Sequence, residues 1–395
     1  MFIVGIDIAK CSHMVRIIDA EGKTVCRPFS IRNNYSGYNT LLERVGKVTN
    51  QKHEFIFAME ATSHYWLALY TRLRKDGWNT VVLNPIQTSA MRDILMRDAK
   101  TDSIDTLVIA ETIRFGRYKP SSVPQEKLLA LRELCRNRFY LIDMANDLKH
   151  KIISLLDQIF SEFETQFDSV FCKSALAVLK QYPVPERLAR AQIGKLTELL
   201  RSASNGRFGE WKAQQLKEIS KNSFGIPDYT GVYSTLILLY LEQLESFLTK
   251  VSVLEKTIAE LFSQFDSTLT TITGIGPVLG AVILSEIRDI SCFASADKLA
   301  AYAGLNPSVK QSGKTVSCSI HMSKRGSPYL RRAIWMASTI AVQHDPMFKA
   351  YYEKKALEGL RYMTIIGHVT KKMTAVIFAI MRDSKIYRPI LSVAV

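Results

Sequence analysis

The order of strand-like and helix-like segments over the first 115 residues restricts the fold of this chain more than any other feature. Three β-rich runs, at residues 2–6, 14–18 and 24–31, follow one another closely, as in an antiparallel meander. Strand-like runs at 55–59 and 80–83 then alternate with helix-like segments. This order is typical of a ribonuclease H-like α/β fold.

Helical patterns dominate after about residue 120. Charged helical spacing covers 127–155, and an apolar seam with steps of three and four follows it. The seam consists of Ile237, Leu241, Leu244, Leu248, Val251, Leu254, Ile258, Leu261 and Phe265. It predicts either a helical hairpin within the chain or an intermolecular coiled coil. Residues 301–332 are polar and predict loops, and helical spacing returns at 332–344 and 362–381.

The length of the chain, 395 residues, is too great for one ordinary core. We therefore expect an α/β domain followed by all-α structure. The first domain is expected at 1–120, a helical linker and coiled-coil region at 121–265, and a mainly helical C-terminal domain at 266–395. A composition of 47% apolar and 23% charged residues excludes a disordered chain.

The positive charge of the chain is concentrated near its C-terminus. The formal net charge is +15, and between residues 310 and 388 fifteen Lys and Arg oppose four acidic residues. This stretch therefore holds eleven of the fifteen net charges. A basic block mixed with aromatic residues indicates a polyanionic partner, most often nucleic acid. The alternative is a solvated basic surface without a partner.

Several protein classes are excluded by the sequence. The six cysteines are scattered without a CxxC pair, so neither a zinc ribbon nor a disulfide framework is expected. Asp7 interrupts the first apolar run, and the N-terminus has no signal-peptide layout. Apolar stretches such as 232–241 are too short to span a bilayer. We therefore expect a cytoplasmic protein.

Four carboxylates lie at the ends of predicted elements in the N-terminal region. Asp7 follows the first strand, Glu60 follows the fourth, and Asp102 and Asp105 begin a helix three residues apart. The first and fourth strands of a ribonuclease H-like sheet are neighbours, so Asp7 and Glu60 should meet. Oxygen ligands at this density suit Mg²⁺ or Mn²⁺ in phosphodiester chemistry. Taken singly, most of these acids could instead be helix caps or surface residues.

A second candidate site surrounds Ser312. A serine followed by glycine has little steric cover on a turn, and Lys310, Lys314, Lys324 and Arg325 could hold a phosphate near its hydroxyl. The hydroxyl would need activation by a base or a metal to attack phosphorus. The alternative is an ordinary turn serine. Competing hydroxyls nearby belong to Ser308, Ser317, Ser319 and Ser323.

Further candidates for contact with nucleic acid lie on either side of this segment. Gly274 and Gly276 resemble the turn of a helix-hairpin-helix, whose backbone amides bind phosphates without reading sequence. A plain tight turn between helices is an equal alternative. Arg331 and Arg332 extend the basic surface after the serine segment.

These motifs resemble those of the DEDD insertion-sequence transposases, a family related to the Piv pilin-gene invertase. The four acids fall in GIDIAK, FAMEAT and KTDSIDTLVIA, which are similar to the Asp-Glu-Asp-Asp signature of the family. Four further segments resemble the second transposase domain of the family. They are GIGPVLGAVILSEI, FASADKLAAYAGLNP, the Ser312-Gly313 pair and SKRGSPYLRR. The resemblance covers nearly the whole chain in the right order, and the helical middle matches by pattern.

The resemblance implies a site-specific DNA recombinase with a RuvC-like catalytic domain and a C-terminal transposase domain. It implies Asp7, Glu60, Asp102 and Asp105 as Mg²⁺ ligands, and Ser312 as the nucleophile of a covalent phosphoserine–DNA intermediate. Family members are guided by a structured bridge RNA and act on donor and target DNA as dimers that assemble into tetramers. Such a protein would work at the bacterial nucleoid.

Two alternatives to this interpretation predict different products. A RuvC-like junction nuclease would use water as the nucleophile and leave hydrolysed ends. A non-catalytic protein would bind nucleic acid without cleaving it.

Overall fold

A computed structural model describes residues 1–95, 102–116, 118, 126–312 and 315–389 of the chain. The side chains of Ile86, Asp102, Ser103 and residues 307–321 lie outside this description. The chain divides into two compact units, Met1–Val123 and Pro124–Val395. Each unit is described by itself.

The first unit alternates strands and helices after an initial meander. Its elements are β1 (Phe2–Asp7), β2 (Ser12–Ile18), β3 (Thr24–Arg32), α1 (Tyr35–Gly46), β4 (Phe55–Glu60), α2 (Trp66–Lys75), β5 (Thr80–Leu83), α3 (Pro85–Ile94) and α4 (Asp102–Arg114). The five strands form one sheet in the order β3-β2-β1-β4-β5. β1, β2 and β3 pair antiparallel, whereas β1, β4 and β5 run parallel. The predicted α/β character of this region is confirmed.

The two faces of this sheet have separate cores. α1 and α2 cover one face. There Leu41 and Leu73, which have no exposed surface, pack against residues of the strands. α4 covers the other face, where Ile109 and Ala110 join Ile3 in a second cluster. Strand residues that point to either face of the sheet are therefore buried. This explains why the apolar runs of β1 and β4 are nearly continuous.

Gly5 brings α4 into direct contact with β1. A Cβ atom at Gly5 would lie 2.2 Å from the carbonyl oxygen of Thr106 and 3.0 Å from the Cβ of Ala110. A helix backbone can come this close to a strand only where the strand residue has no side chain. The position of α4, and of the acids that it carries, therefore depends on this glycine.

The second unit is almost entirely helical. Its helices are α5 (Glu126–Ile159), α6 (Lys173–Gln181), α7 (Pro185–Ala189), α8 (Ile193–Ala203), α9 (Glu210–Lys221), α10 (Val232–Phe262), α11 (Pro277–Ile287), α12 (Ala296–Tyr302), α13 (Pro328–His344), α14 (Pro346–Leu357) and α15 (Tyr362–Asp383). One hairpin, β6 (Pro307–Ser312) and β7 (Thr315–Met322), lies between α12 and α13.

The long helices α5 and α10 pack against each other within the chain, so the apolar seam takes part in intramolecular helix packing, although α6–α9 separate the two helices and they do not form a simple hairpin. Both helices contribute to two cores. The C-terminal core takes Leu131, Cys135 and Phe139 from α5 and Ile258 and Phe262 from α10. The insert core, shared with α6–α9, takes Ala145, Ile152 and Leu156 from α5 and Ile237, Leu241 and Leu244 from α10. Leu248, between the two cores, is 40% exposed.

The β6–β7 hairpin corrects the expectation of loops across 301–332. Residues Val316, Cys318, Ile320 and Met322 alternate with polar residues, which is the period of a strand with one covered face. Its partner strand β6 is short, rich in Ser and Lys, and lacks this alternation. The sequence therefore did not predict the hairpin. The pairing is antiparallel, with Val309 opposite Cys318.

The helix α15 also differs from expectation, because it is long and apolar enough to cross a membrane by length and composition alone. Half of its most apolar stretch is buried. Val369, Met373 and Ile377 are fully buried in the C-terminal core, as in the central helix of a globular domain. Lys371 and Lys372 break the apolar run, which is why the sequence did not single it out.

Replacing Gly5 with alanine should lower the free energy of unfolding by about 1–3 kcal/mol, because the neighbouring atom is backbone and cannot rotate away. Urea unfolding of the full chain, followed by circular dichroism, measures this change. The matched control is Gly194→Ala in α8, where an added Cβ meets nothing within 4 Å. The control should be neutral or slightly stabilising. Equal losses in both variants would contradict the close approach of α4.

Candidate active site

Asp7 and Glu60 end two adjacent strands. β1 and β4 pair in parallel with Ile6 opposite Met59, so the next residue on each strand stands at the same carboxyl edge of the sheet. Neighbouring strands lie about 4.8 Å apart. Both acids are half-buried. The structure therefore brings together this first pair of predicted site residues.

Asp105 approaches the same edge from α4. It directly precedes Thr106, whose carbonyl oxygen touches β1 at Gly5, two residues before Asp7. The Asp105 carboxylate forms an ion pair with the guanidinium of Arg92 on α3, and the two side chains are 14% and 24% exposed. Asp102 is the first residue of α4, and its side chain lies outside the described part.

The helix α3 supplies partners to two of these carboxylates. The hydroxyl of Thr88 lies 2.8 Å from Oε2 of Glu60 and 2.9 Å from the carbonyl oxygen of Pro85. Arg92, one turn further along, holds Asp105. Thr88 is 2% exposed, so its hydroxyl is fixed within the packed edge.

Sequence reasoning missed Thr88 and Arg92. The available signal was Pro85, which follows β5 at once and is a residue that favours the first turn of a helix. A helix that begins at the carboxyl end of β5 necessarily begins beside the ends of β1 and β4. Thr88 and Arg92, one and two turns later, are the residues of this helix that contact Glu60 and Asp105.

The donor chemistry of this edge fits a hard divalent ion, because Asp7, Glu60 and Asp105 offer only carboxylate oxygens. Among the described residues, however, no group of three His, Cys, Asp or Glu side chains is arranged to hold a metal ion. Arg92 is the cation at Asp105 in this arrangement. A metal ion that used Asp105 would compete with this guanidinium.

Ser312 stands at the tip of the hairpin in the second unit. It is the last residue of β6, and it pairs with Thr315, the first residue of β7. The connecting Gly313 and Lys314 lie outside the described residues. Lys310 pairs with a β7 residue further from the tip, and its side chain is likewise outside the description. The predicted exposed turn at Ser312 is thus the end of a β-hairpin.

The base of this hairpin is held by backbone contacts between the segments 302–306 and 323–327. The amides of Ser323, Lys324 and Ser327 donate to the carbonyls of Asn306, Gly304 and Tyr302, at 2.8, 3.1 and 2.9 Å. A Cβ at Gly326, whose φ is +125°, would lie 2.0 Å from the Tyr302 carbonyl oxygen. We call these two segments the hairpin base.

Two of the predicted nucleic-acid contacts have structural partners. Arg331 donates to the carbonyls of Ala303 and Lys324, at 3.0 and 3.3 Å, and so helps to close the hairpin base. Arg332 pairs with Asp143 of α5 at 2.8 Å and lies over a phenylalanine ring. Lys324 and Arg325 are exposed.

The glycine turn before α11 has a packing role. Gly274 has a φ of +91°, and a Cβ there would lie 2.4 Å from the carbonyl oxygen of Ala337 in α13. This contact accounts for Gly274 without a ligand. Gly276 precedes α11 as its N-cap, and an added Cβ would meet nothing within 4 Å. Phosphate binding at this turn stays a prediction.

Glu286 is a buried carboxylate at the centre of the second unit. It is 2% exposed and lies in α11. Arg136 of α5 donates to both of its oxygens, at 2.7 and 3.1 Å, and the Ser327 hydroxyl donates to Oε2 at 2.8 Å. The backbone carbonyl of Glu286 accepts from the Tyr302 hydroxyl at 3.3 Å. Glu286 therefore ties α5 and α11 to the hairpin base.

Comparison with known proteins gives matches over both units. A family model for DEDD transposases of the IS110 type matches residues 4–161. A second family model, described as transposase of the IS116/IS110/IS902 family, matches residues 266–353. The two matched ranges contain the acids of the sheet edge and Ser312, respectively.

Individual relatives extend the similarity along the chain. The uncharacterized 44.8 kDa protein of insertion element IS116 from Streptomyces clavuligerus is 27% identical over 98% of this chain and 96% of its own length. The uncharacterized 43.6 kDa protein of IS110 from Streptomyces coelicolor is 24% identical, over 97% and 95%. The pilin gene-inverting protein of Moraxella bovis is 32% identical over 30% of this chain and 37% of its own length.

Removing the charge of Glu286 should weaken the second unit. Glu286→Gln is expected to lower the free energy of unfolding by about 2–3 kcal/mol, because the counter-charge of Arg136 is removed at a position that is only 2% exposed. Thermal and urea unfolding measure this loss. The control is Glu255→Gln, whose pair with Arg138 has a 38% exposed carboxylate and should contribute about 1 kcal/mol or less. A loss at Glu286 no larger than that at Glu255 would contradict its central role.

Proposed function

This chain belongs to the IS110 family of DEDD transposases, and we propose that it is a site-specific recombinase of a mobile element that cuts and rejoins DNA at the sheet edge of its first unit. The observation that carries the proposal is the meeting of Asp7 and Glu60 at the ends of paired strands, with Asp105 on the helix packed against one of them. The strand order supports a RuvC-like, ribonuclease H-like catalytic domain at 1–120. The helical region at 121–265 and the transposase domain at 266–395 complete the proposed organisation.

The proposed metal site consists of Asp7, Glu60, Asp102 and Asp105. Mg²⁺, or Mn²⁺ in its place, would neutralise charge on a phosphodiester and favour the deprotonated form of an attacking hydroxyl. The hard oxygen donors support this choice of ion. On metal binding the Asp105 carboxylate would give up its ion pair with Arg92, and the hydrogen bond from Thr88 would keep Glu60 oriented.

Ser312 is the proposed nucleophile. Its Oγ would form a bond to the DNA phosphorus as the bond from phosphorus to one DNA oxygen breaks. The serine proton passes to solvent, and the departing oxygen takes a proton from solvent to become a free hydroxyl. A DNA hydroxyl from the partner duplex then attacks the phosphorus and releases its proton to solvent. The bond between phosphorus and Ser312 Oγ breaks, and the serine oxygen is protonated again, so the number of phosphodiester bonds is conserved. The position of Ser312 at a hairpin tip supports this role, because the flanking strands can present it to DNA.

Guidance by a structured bridge RNA, and assembly of dimers into a tetramer, belong to the same proposal. The support is electrostatic, since residues 310–388 hold eleven of the net positive charges of the chain. Donor DNA, target DNA and RNA together present a large polyanionic surface. The pilin gene-inverting relative is named for a rearrangement of DNA, and inversion is therefore one of the outcomes to test. We place this activity at the nucleoid of a bacterial cytoplasm.

The nucleophile can be tested by trapping a covalent protein–DNA adduct. Purified protein, RNA transcribed with its element and labelled donor and target duplexes are incubated with Mg²⁺ and then denatured. Wild-type protein should retain label, and both Ser312→Ala and Asp7→Ala should reduce the adduct by at least about a hundredfold, as loss of a nucleophile or of its activating site does. Ser317→Ala, on the facing strand, should retain it.

Other products would point to other mechanisms. Cleaved DNA without an adduct would favour the water-using junction nuclease and contradict the serine step. Adduct formation that survives Ser312→Ala but is lost in Ser317→Ala would move the nucleophile to β7. Binding of DNA without any Mg²⁺-dependent cleavage would support the non-catalytic alternative.

Removing Arg92 should strengthen metal binding. Arg92→Gln removes a positive charge and frees the Asp105 carboxylate, so the Mg²⁺ concentration for half-maximal thermal stabilisation should fall about tenfold, which corresponds to about 1.4 kcal/mol of charge interaction. The measurement is a melting series of the protein alone against Mg²⁺ and Mn²⁺. Arg114→Gln, which breaks an arginine–carboxylate pair elsewhere on α4, is the control. An identical metal response in wild type and Arg92→Gln would show that Asp105 is not a ligand.

A further inference from the structure

A small pocket in the first unit is lined by residues of β2, β3, α1 and α2, and we call it the β2–β3 pocket. Its volume is about 230 Å³, and most of its lining is apolar. Drug-sized ligands occupy pockets of about 300–1,000 Å³, so this one suits a single flat ring system better than a larger molecule. The lining residues that matter here are His13, Ile31, Tyr35, Tyr38, Leu69 and Arg72.

Two tyrosines and an arginine form a layered wall of this pocket. The guanidinium carbon of Arg72 lies 5.7 Å from the ring centre of Tyr35 and 5.6 Å from that of Tyr38. The Tyr38 hydroxyl donates to Oδ2 of Asp76 at 2.7 Å, and Arg72 pairs with the same oxygen at 3.3 Å. The wall is therefore held in place by the protein itself. Tyr35 is 67% exposed, so its ring offers surface to a ligand.

His13 adds a buried polar group to the lining. It is 1% exposed, and its Nδ1 accepts from the amide of Ala9 at 3.3 Å. Burial lowers the pKa of His13 more than the Asn33 side chain raises it, so the ring is neutral and has its hydrogen on Nε2. This nitrogen is buried and makes no hydrogen bond of normal geometry with the described residues. An acceptor on the edge of an entering ring would satisfy it.

The β2–β3 pocket lies at the same edge of the sheet as the proposed metal ligands. Asp7 ends β1 and is opposite Met14 of β2, the residue after His13. From the spacing of paired strands and one step along β2, the Cα atoms of Asp7 and His13 are about 6 Å apart. A DNA strand advances about 3.4 Å per nucleotide along the duplex axis, so a base in the pocket would belong within about two nucleotides of a phosphate at Asp7.

The pocket and the Asp7 side chain are on opposite faces of the sheet at this edge. Ile6 and Val15 belong to the core beneath α1 and α2. Because side chains alternate along a strand, His13 shares the face of Val15, whereas Asp7 points to the face that α4 covers. A DNA strand that crosses the edge can therefore place a phosphate on one side and a neighbouring base on the other.

We infer that the β2–β3 pocket holds one unstacked base of the DNA strand that is cut at the sheet edge. A base has flat faces that stack on tyrosine and guanidinium planes, and polar edges that hydrogen-bond amide and imidazole groups. Arg32, which is exposed, and Arg72, which is 46% exposed, line the same pocket and suit the phosphates beside that base. This inference rests on the proposed action on DNA and adds a base-binding site outside the four acids and the serine.

The test is the affinity of the full chain for single-stranded oligothymidylate DNA without Mg²⁺, with a strand of about twelve nucleotides, a length that single-strand binders cover. Tyr35→Ala should weaken binding about tenfold, because a base loses its stacking partner. The slope of log affinity against log salt should stay unchanged, since no charge is removed. Tyr35→Phe keeps the ring and should bind like wild type.

Two controls separate base stacking from other roles of Tyr35. Tyr140→Ala, on α5 of the second unit, removes a tyrosine of similar exposure, 60%, and should leave the affinity unchanged. An abasic strand of the same length should bind wild type and Tyr35→Ala equally, because the lost contact is to a base. The melting temperature of Tyr35→Ala should match that of wild type, since this side chain is mostly exposed.

The possible failures are distinguishable. Equal affinities of wild type and Tyr35→Ala for oligothymidylate, with DNA still bound, would overturn the base pocket and leave the proposed recombinase intact. An equal loss on the abasic strand would make Tyr35 a structural or backbone contact and would also overturn it. A loss seen only with RNA of the corresponding sequence would overturn the assignment to DNA. Absence of binding of both single-stranded and duplex DNA by wild type would overturn the pocket and the proposed function together.

Discussion

The buried pairing of Glu286 with Arg136 is the interaction on which the second unit depends. It joins α11 to α5, and through Ser327 and Tyr302 it reaches the segments that hold the β6–β7 hairpin. A carboxylate with almost no exposed surface is stable only when its hydrogen bonds are satisfied, and here three donor contacts satisfy it. The orientation of the hairpin that carries Ser312 therefore rests on charges placed far from it in sequence.

The sheet edge of the first unit could be predicted largely from sequence. Apolar runs that end in an acid mark strand termini, and the order of the runs makes β1 and β4 neighbours, so Asp7 and Glu60 are found by pattern alone. The sequence also placed Asp105 in this candidate site, but the way in which α4 packs against β1 required the structure. It depends on Gly5, and a glycine in an apolar strand does not reveal in sequence which backbone lies against it.

Side-chain partners from segments distant in sequence could not be predicted from local sequence patterns. Arg92 and Thr88 contact acids of other elements, and although Pro85 marks the start of their helix, nothing in the sequence shows which of its polar side chains meet those acids. The alternation of apolar and polar residues in β7 can be recognised in the sequence, but β6 has no such alternation. Predicting a hairpin requires a signal from both strands. Local periodicity predicts elements, whereas pairing of charges is a property of tertiary structure.

The passage of α5 and α10 through two cores has a consequence for how these cores depend on each other. The family models match residues 4–161 and 266–353, so α6–α10 lie in a span that neither model covers. The insert core is formed by α6–α9 together with parts of the two long helices, which also contribute to the C-terminal core. Because the same two helices complete both cores, a shift in the register between α5 and α10 would disturb the insert core and the C-terminal core together.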